Sequence, residues 1–169
     1  MRFSLLAIAS YLDVYAVRRN SLEHAQRLSV IPPSLEKDRL SYRGDTLRLS
    51  QDGRYLYVTT RGKTSVTKGY LAVFAVKSDD TVDEKPITRW ETPTSGGKAN
   101  ALDTFPFHSM SSNSNEKDWI LLTDDQEGFV WVLEFDGQNV SIKDQVQLGI
   151  DEEEMEEETV GASHAVWLS

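Results

Sequence analysis

A predicted β-hairpin carries charged residues at both of its ends, and their chemistry stands out first. Two alternating runs, 46–50 and 55–60, flank an Asp-Gly pair, which is a strong short-range hairpin signal. Arg43 and Asp45 precede the first run and Arg61 follows the second, so the hairpin brings three charges to one edge. Planar guanidinium groups suit bidentate binding of carboxylates. The alternative interpretation is an ordinary surface ion pair of Arg43 or Arg61 with Asp45.

The overall composition limits the classes of function. The chain has 169 residues, of which 39% are hydrophobic and 27% charged, enough for one domain with a real core. A net charge of -9 argues against nucleic acid as a partner, because such binding needs a basic surface. The absence of cysteine excludes a disulfide framework, a thiolate zinc site and a cysteine nucleophile.

The N-terminal apolar run, 3–9, has the shape of a short signal peptide. Asp13 and the strand-like run 12–17 cut it short, which favours a buried strand. No run approaches the ~20 apolar residues of a membrane span. We expect a cytoplasmic location and no membrane partner, with secretion through a short N-terminal signal as the alternative.

Three segments of the chain share one pattern of alternating apolar residues. They span residues 12–17, 71–76 and 130–135. The third residue of each is valine, and both intervals between these valines are 59 residues. Each segment is followed by a polar stretch and another short apolar run, and a two-strand unit precedes the second and third copies. The repeating unit therefore has four strands.

Short strands repeated at a fixed interval are typical of a β-propeller, whose blades bury their faces against each other. A β-sandwich is the alternative, but it does not predict a fixed interval. Helical periodicity is absent, so we predict an all-β fold with essentially no helix. The best-defined strands are predicted at 46–50, 55–60, 71–76, 87–91, 101–105, 119–123, 130–135 and 145–148.

The repeat divides the chain into a single partial propeller, an incomplete arc of about two to three four-stranded blades. Its predicted parts are the end of one blade at 1–41, a second blade at 42–95, a third blade at 96–150, an acidic loop at 151–160 and a closing strand at 161–169. Propellers close with about four to eight blades. We therefore expect exposed blade faces, and self-association through them.

Several of these segments also carry a family resemblance. They are YRGDTLRLSQDGRYLYVTTRG (42–62), TPTSGGKAN (92–100), LTDD (122–125) and GASHA (161–165). The chain from residue 12 onward resembles the seven-bladed lactonase-type propellers, and most closely the fungal 3-carboxy-cis,cis-muconate cyclases. The resemblance implies a central channel that binds a carboxylated small molecule and adds one carboxylate across a conjugated double bond, giving a lactone. It implies no cofactor and no required metal, and a place in aromatic (protocatechuate) catabolism. With this resemblance we expect the chain to be a fragment, the C-terminal portion of such a propeller, without the family's first four or so blades.

The blade pattern predicts at which end of the blades each polar residue lies. In an up-and-down blade, the loop leading into the innermost strand and the loop between the second and third strands lie at the same end. With the resemblance, this predicts five substrate-binding residues and one catalytic proton donor. The substrate-binding residues are Arg43, Asp45, Arg61, Lys98 and Asn100, and the donor is His164. A hydrogen-bonded structural role is the alternative for His164, and His108 is expected at the opposite end.

Two classes of function stay open on the sequence. The first is an intramolecular lyase, an isomerase in which arginine and lysine hold carboxylates while His164, or a residue outside this chain, protonates the neighbouring carbon. The second is a non-catalytic propeller arc that acts as an interaction or structural module. The turn Gly96-Gly97-Lys98 resembles a phosphate-cradling loop, but no Walker pattern surrounds it, so we interpret it as a tight turn with a channel-facing Lys98.

Overall fold

A computed structural model of the protein describes the backbone of residues 2–6 and all of residues 10–79, 81–98, 100–106, 117–148 and 161–167. Its strands are β1 (Arg2–Leu6), β2 (Tyr11–Val17), β3 (Leu22–Ser29), β4 (Tyr42–Leu49), β5 (Tyr55–Gly62), β6 (Tyr70–Ala75), β7 (Thr88–Glu91), β8 (Leu102–Thr104), β9 (Asp118–Thr123), β10 (Phe129–Phe135) and β11 (Val140–Gln147). They form three antiparallel sheets in the orders β1-β2-β3, β4-β5-β6-β7 and β8-β9-β10-β11. The predicted all-β architecture is confirmed.

The predicted hairpin is formed by β4 and β5. Its turn is closed by hydrogen bonds from the Ser50 N–H to the Tyr55 carbonyl at 2.8 Å and from the Gly53 N–H to the Ser50 carbonyl at 3.0 Å. Gly53 has a φ of 75°, a conformation that costs glycine little, which is why the Asp-Gly pair was informative. Strand β11 starts at Val140, five residues before the predicted run at 145–148.

The expectation of essentially no helix is wrong for one segment. Residues Pro33–Ser41 form a 3₁₀ helix, which begins where proline supplies a fixed φ and lacks an N–H that the first turn would leave unpaired. The guanidinium of Arg39 is buried against the ring of Tyr11, 3.8 Å from its centroid, and donates to the Ser10 carbonyl at 3.1 Å. These tertiary contacts hold a helix that has no apolar periodicity. No described helix is long and apolar enough to cross a membrane.

For the closing strand predicted at 161–169, the structure describes residues 161–167 and assigns them no strand. Residues 161–167 form no strand, because they make no ladder of backbone hydrogen bonds with other described residues. The final two residues, the acidic loop at 151–160 and His108 lie outside the described residues.

The second sheet is buried on both faces. Alternate side chains of a strand point to opposite faces, so β5 and β6 each supply both packing layers. One layer, with Leu56, Val58, Ala72 and Phe74, packs on Leu12, Val14, Leu28 and Val30 of the first sheet and its edge. The other, with Tyr57, Leu71 and Val73, packs on Leu102, Ile120, Leu122, Trp131, Leu133 and Phe135 of the third sheet. Strand β4 lies beside both β1 and β8, so the sheets follow one another as blades of a partial propeller.

The outward faces of the first and third sheets differ in character. On the first sheet, Asp13 is 1% exposed and accepts hydrogen bonds from Arg27 at 2.8 Å and from His24 at 2.9 Å. The bond from Arg27, more than the one from His24, holds the pKa of Asp13 below its usual range despite burial. On the third sheet, Phe105, Trp119, Val132 and Trp167 line an apolar cavity of about 300 Å³.

Candidate functional site

Arg61 is the centre of the candidate site and joins two blades. It is the penultimate residue of β5, and its side chain is 18% exposed. Its Nε lies 3.3 Å from Oδ2 of Asp45, which lies inside β4 at the register shift between Gly44 and Leu47, and its Nη1 donates to the Gly97 carbonyl at 3.0 Å. The guanidinium thus spans from the second sheet to the loop that leads into the third. A planar fork with several donors can make both contacts and keep N–H groups for a ligand.

Asp45 is the carboxylate that holds this guanidinium. Its Oδ2 also accepts the backbone N–H of Asn100 at 2.8 Å. Burial raises the pKa of Asp45, although the bond from Asn100 and the charge of Arg61 act in the opposite direction. A half-buried carboxyl with a raised pKa beside a cation is a candidate for proton transfer as well as for positioning.

His164 lies near this pair without touching it. Its imidazole is exposed, its Nδ1 lies 3.5 Å from Oγ of Ser163, and its charge lowers the pKa of Asp45. His164 follows Ser163, whose carbonyl lies 3.4 Å from the Thr123 hydroxyl at the end of β9, and Gly161 lies against Asp125 in the following turn, so His164 lies at the same end of the sheets as Arg61 and Asp45.

Gly97 carries the carbonyl that Arg61 contacts, and its position requires glycine. Its φ is 64°, and a Cβ there would lie 2.2 Å from Oδ1 of Asp125 and 2.7 Å from Oδ1 of Asp124. Asp125 accepts the Lys98 N–H at 2.6 Å. The β9–β10 turn and the loop before β8 are therefore packed directly against each other.

Asp124 organises this loop, a role that the sequence analysis did not predict. The side chain is buried and accepts hydrogen bonds from the Thr94 hydroxyl, from the Gly96 N–H at 3.2 Å and from the N–H of Gln126 at 2.8 Å. An aspartate that directly follows a strand and bonds the N–H two residues on is an Asx turn, which was the available signal. Its contacts to Thr94 and Gly96 depend on the tertiary fold.

The other predicted residues are spread around this centre. Arg43 lies opposite Arg61 in the β4–β5 register, is exposed, and forms no ion pair with another described residue. Lys98 is exposed and is held through its backbone N–H. Asn100 is fully buried, and neither atom of its carboxamide has a hydrogen-bond partner among the described residues. Of the predicted set, Arg61, Asp45 and Asn100 are in direct contact. The alternative ion pair forms for Arg61 and Asp45, not for Arg43.

The site can hold an anion and handle a proton. Arg61 supplies a fixed guanidinium, Asp45 a carboxyl with a raised pKa, and His164 an imidazole nearby. Within the described residues, no group of three or more histidine, aspartate or glutamate side chains is arranged to hold a metal ion.

The fold agrees with comparisons to known proteins. The sequence model of the family "Lactonase, 7-bladed beta-propeller" matches residues 7–95, and the chain belongs to this family. It is similar to "Muconate cycloisomerase 1" of Cutaneotrichosporon cutaneum, with 29% identity over 169 residues that cover 98% of the chain and 42% of that protein. It is also similar to "Carboxy-cis,cis-muconate cyclase" of Neurospora crassa, with 31% identity over 115 residues that cover 63% of the chain and 29% of that protein.

A solved structure shows the same fold. The periplasmic gluconolactonase of Pseudomonas aeruginosa superposes with a TM-score of 0.62 at 19% identity, over 87% of the chain and 36% of that protein. The chain spans less than half the length of each of these relatives. The family resemblance read from the sequence is confirmed.

Proposed function

We propose that this chain belongs to an enzyme that cyclises a carboxy-cis,cis-muconate-like tricarboxylate to a lactone, an intramolecular lyase of aromatic (protocatechuate) catabolism. The observation that carries the proposal is Arg61, a guanidinium held between two blades at one end of the sheets, beside the carboxyl of Asp45. The names of the two fungal relatives, a muconate cycloisomerase and a carboxy-cis,cis-muconate cyclase, support this chemistry.

The proposed reaction uses the site's charges in sequence. The Arg61 guanidinium binds a substrate carboxylate, with Lys98 and Arg43 available for the others. One carboxylate oxygen forms a C–O bond to a carbon of the conjugated double bond, the π bond breaks, and the adjacent carbon takes a proton from His164. A proton from solvent restores His164, and atoms and charge balance without a cofactor. Asp45 fixes Arg61 and, through Asn100, the loop before β8.

A non-catalytic propeller arc is the second candidate. The observation in its favour is that Arg61 is already held by Asp45 at 3.3 Å and by the Gly97 carbonyl at 3.0 Å, as a purely structural link between blades would be. Such an arc would keep the packed blades and serve as an interaction module, with Arg61 acting only as a structural link.

A chimera separates the two candidates. The 169-residue chain replaces the segment of the Cutaneotrichosporon relative to which it aligns, and the loss of diene absorbance of 3-carboxy-cis,cis-muconate is followed. We expect turnover by the chimera, with the unaltered relative assayed on the same diene, the Carboxy-cis,cis-muconate cyclase of Neurospora crassa as the positive control and gluconolactone as the control substrate. A chimera that matches the relative in circular dichroism and elution volume yet leaves the diene unchanged would support the non-catalytic arc.

We also propose that the isolated chain self-associates through the outward face of the third sheet, and that it is located in the cytoplasm. Apolar side chains that line an open cavity favour burial against a partner. Trp119→Glu places a charge in this cavity, so it should weaken concentration-dependent association by about tenfold or more in light scattering. Leu40→Glu, at a side chain that is 72% exposed elsewhere, is the matched control. A monodisperse monomer at all concentrations, or equal effects of the two variants, would refute self-association through this surface.

A further inference from the structure

Two buried threonines, one in the second strand of the second sheet and one in the second strand of the third sheet, make the same set of hydrogen bonds. Thr59, in β5, accepts the Thr46 N–H at 2.9 Å and lies 3.3 Å from the Asn100 carbonyl, to which its hydroxyl can donate. Thr123, in β9, accepts the Ala101 N–H at 3.1 Å and lies 3.4 Å from the Ser163 carbonyl. Each threonine thus links the inner strand of its own sheet to the chain that enters the next one.

This equivalence places Ser163 on the third sheet where Asn100 lies on the second. The surrounding segment is held on the third sheet by further contacts. Ala162 is 5% exposed, and the Trp167 ring packs edge-on against Phe105 with 4.8 Å between centroids. Segment 161–167 therefore lies in the position of an innermost strand of a following blade.

One contact of the second sheet has no counterpart in the third. The Asp45 side chain accepts the backbone N–H of Asn100 at 2.8 Å. Asn100 is the equivalent of Asp45 one sheet further along, but its fully buried carboxamide is without a partner among the described residues, and no hydrogen bond joins the exposed Ser163 N–H to another described residue. Buried polar groups are normally paired, because leaving one unpaired is costly.

We infer that Asn100 is a positioning residue: a small shift of its carboxamide, toward the arrangement that Asp45 has one sheet earlier, lets its oxygen accept the Ser163 N–H and so fixes segment 161–167, which carries His164. Gly96 permits this role, because a Cβ at that residue would lie 2.6 Å from Nδ2 of Asn100. The role of His164 rests on the proposed function. The hydrogen bond from the Ser163 N–H to the Asn100 carboxamide, which we call the latch, depends only on the repeated geometry of the two sheets.

Hydrogen exchange at residue 163 tests the latch without reference to activity. Asn100→Leu keeps the size of the side chain and removes the acceptor, so exchange of the Ser163 amide should become about tenfold faster. Asn100→Asp keeps an acceptor, as Asp45 shows one sheet earlier, and should retain the protection. Asn20→Leu, at an exposed position in the β2–β3 turn, is the matched control. Thr123→Val removes the hydroxyl near the Ser163 carbonyl, so it shows how much the loss of one contact changes the exchange rate of the Ser163 amide.

Activity of the chimera gives the second measurement. Asn100→Leu should change the pH profile of lactonisation, and Asn100→Asp should restore it. Equal exchange in Asn100→Leu and wild type overturns the latch whatever the activity shows. Faster exchange with an unchanged pH profile keeps the latch and removes His164 from the proposed reaction. If Asn100→Leu does not fold, the comparison of Asn100→Ala with Asn100→Asp decides in the same way.

Discussion

Replacing Arg61 by lysine should slow lactonisation by the chimera by about tenfold to a hundredfold. Lysine keeps the charge but cannot contact Asp45 and the Gly97 carbonyl together while presenting further N–H groups to a carboxylate. A charge-assisted hydrogen bond is worth roughly 1.5 to 3 kcal/mol, which sets the size of the effect. The free energy of unfolding should change by less than about 1 kcal/mol, because Arg61 lies outside the packed blade faces.

The control for Arg61→Lys is Arg48→Lys. Arg48 also lies in the β4–β5 hairpin, is half-exposed and pairs with Asp103 at 3.5 Å, away from the candidate site. Its substitution should leave the rate unchanged. The measurement is the initial rate of diene loss at saturating and limiting substrate, with urea unfolding for each variant. Equal rates for Arg61→Lys and wild type would remove Arg61 from the site, and a large effect of Arg48→Lys would place the site elsewhere.

Replacing Trp131 by alanine should destabilise the chain by about 3 to 5 kcal/mol, the usual cost of truncating a large buried aromatic side chain. Trp131 is 2% exposed, belongs to the core between the second and third sheets, and stacks on Phe129 with 5.2 Å between ring centroids. Domains are stable by only about 5 to 15 kcal/mol, so the variant should be largely unfolded under mild urea.

Trp119→Ala is the matched control, because the same residue type lies in the same sheet but points to the opposite, outward face. Its expected cost is at most about 1 to 2 kcal/mol, since the cavity leaves it partly uncovered already. The measurement is the urea midpoint by circular dichroism at a concentration low enough to avoid association. Similar costs for the two variants would mean that the outward face is as well packed as the core.

Local sequence patterns were sufficient to predict most of the secondary structure. The Asp-Gly turn predicted the β4–β5 hairpin because a two-residue signal and strand alternation are properties of neighbouring residues. The interval of 59 residues predicted similar sheets, because the equivalent strands β2, β6 and β10 need the same apolar pattern. The 3₁₀ helix at Pro33–Ser41 was missed because contacts of Arg39 with Tyr11 and Ser10, distant in sequence, hold it.

The sequence by itself determined the hairpin, the repeat, the family resemblance and the end of the blades where Arg61, Asp45, Asn100 and His164 belong. Those features depend on residue type and spacing along the chain. Only the tertiary structure decided which of these side chains touch, because Arg61 reaches Gly97 across two blades and Asn100 loses its accessible surface to neighbouring loops. It also decided that 161–167 lies on the third sheet without becoming a strand. Alternation predicts which face of a segment is apolar, whereas a strand exists only where a second backbone supplies its hydrogen bonds.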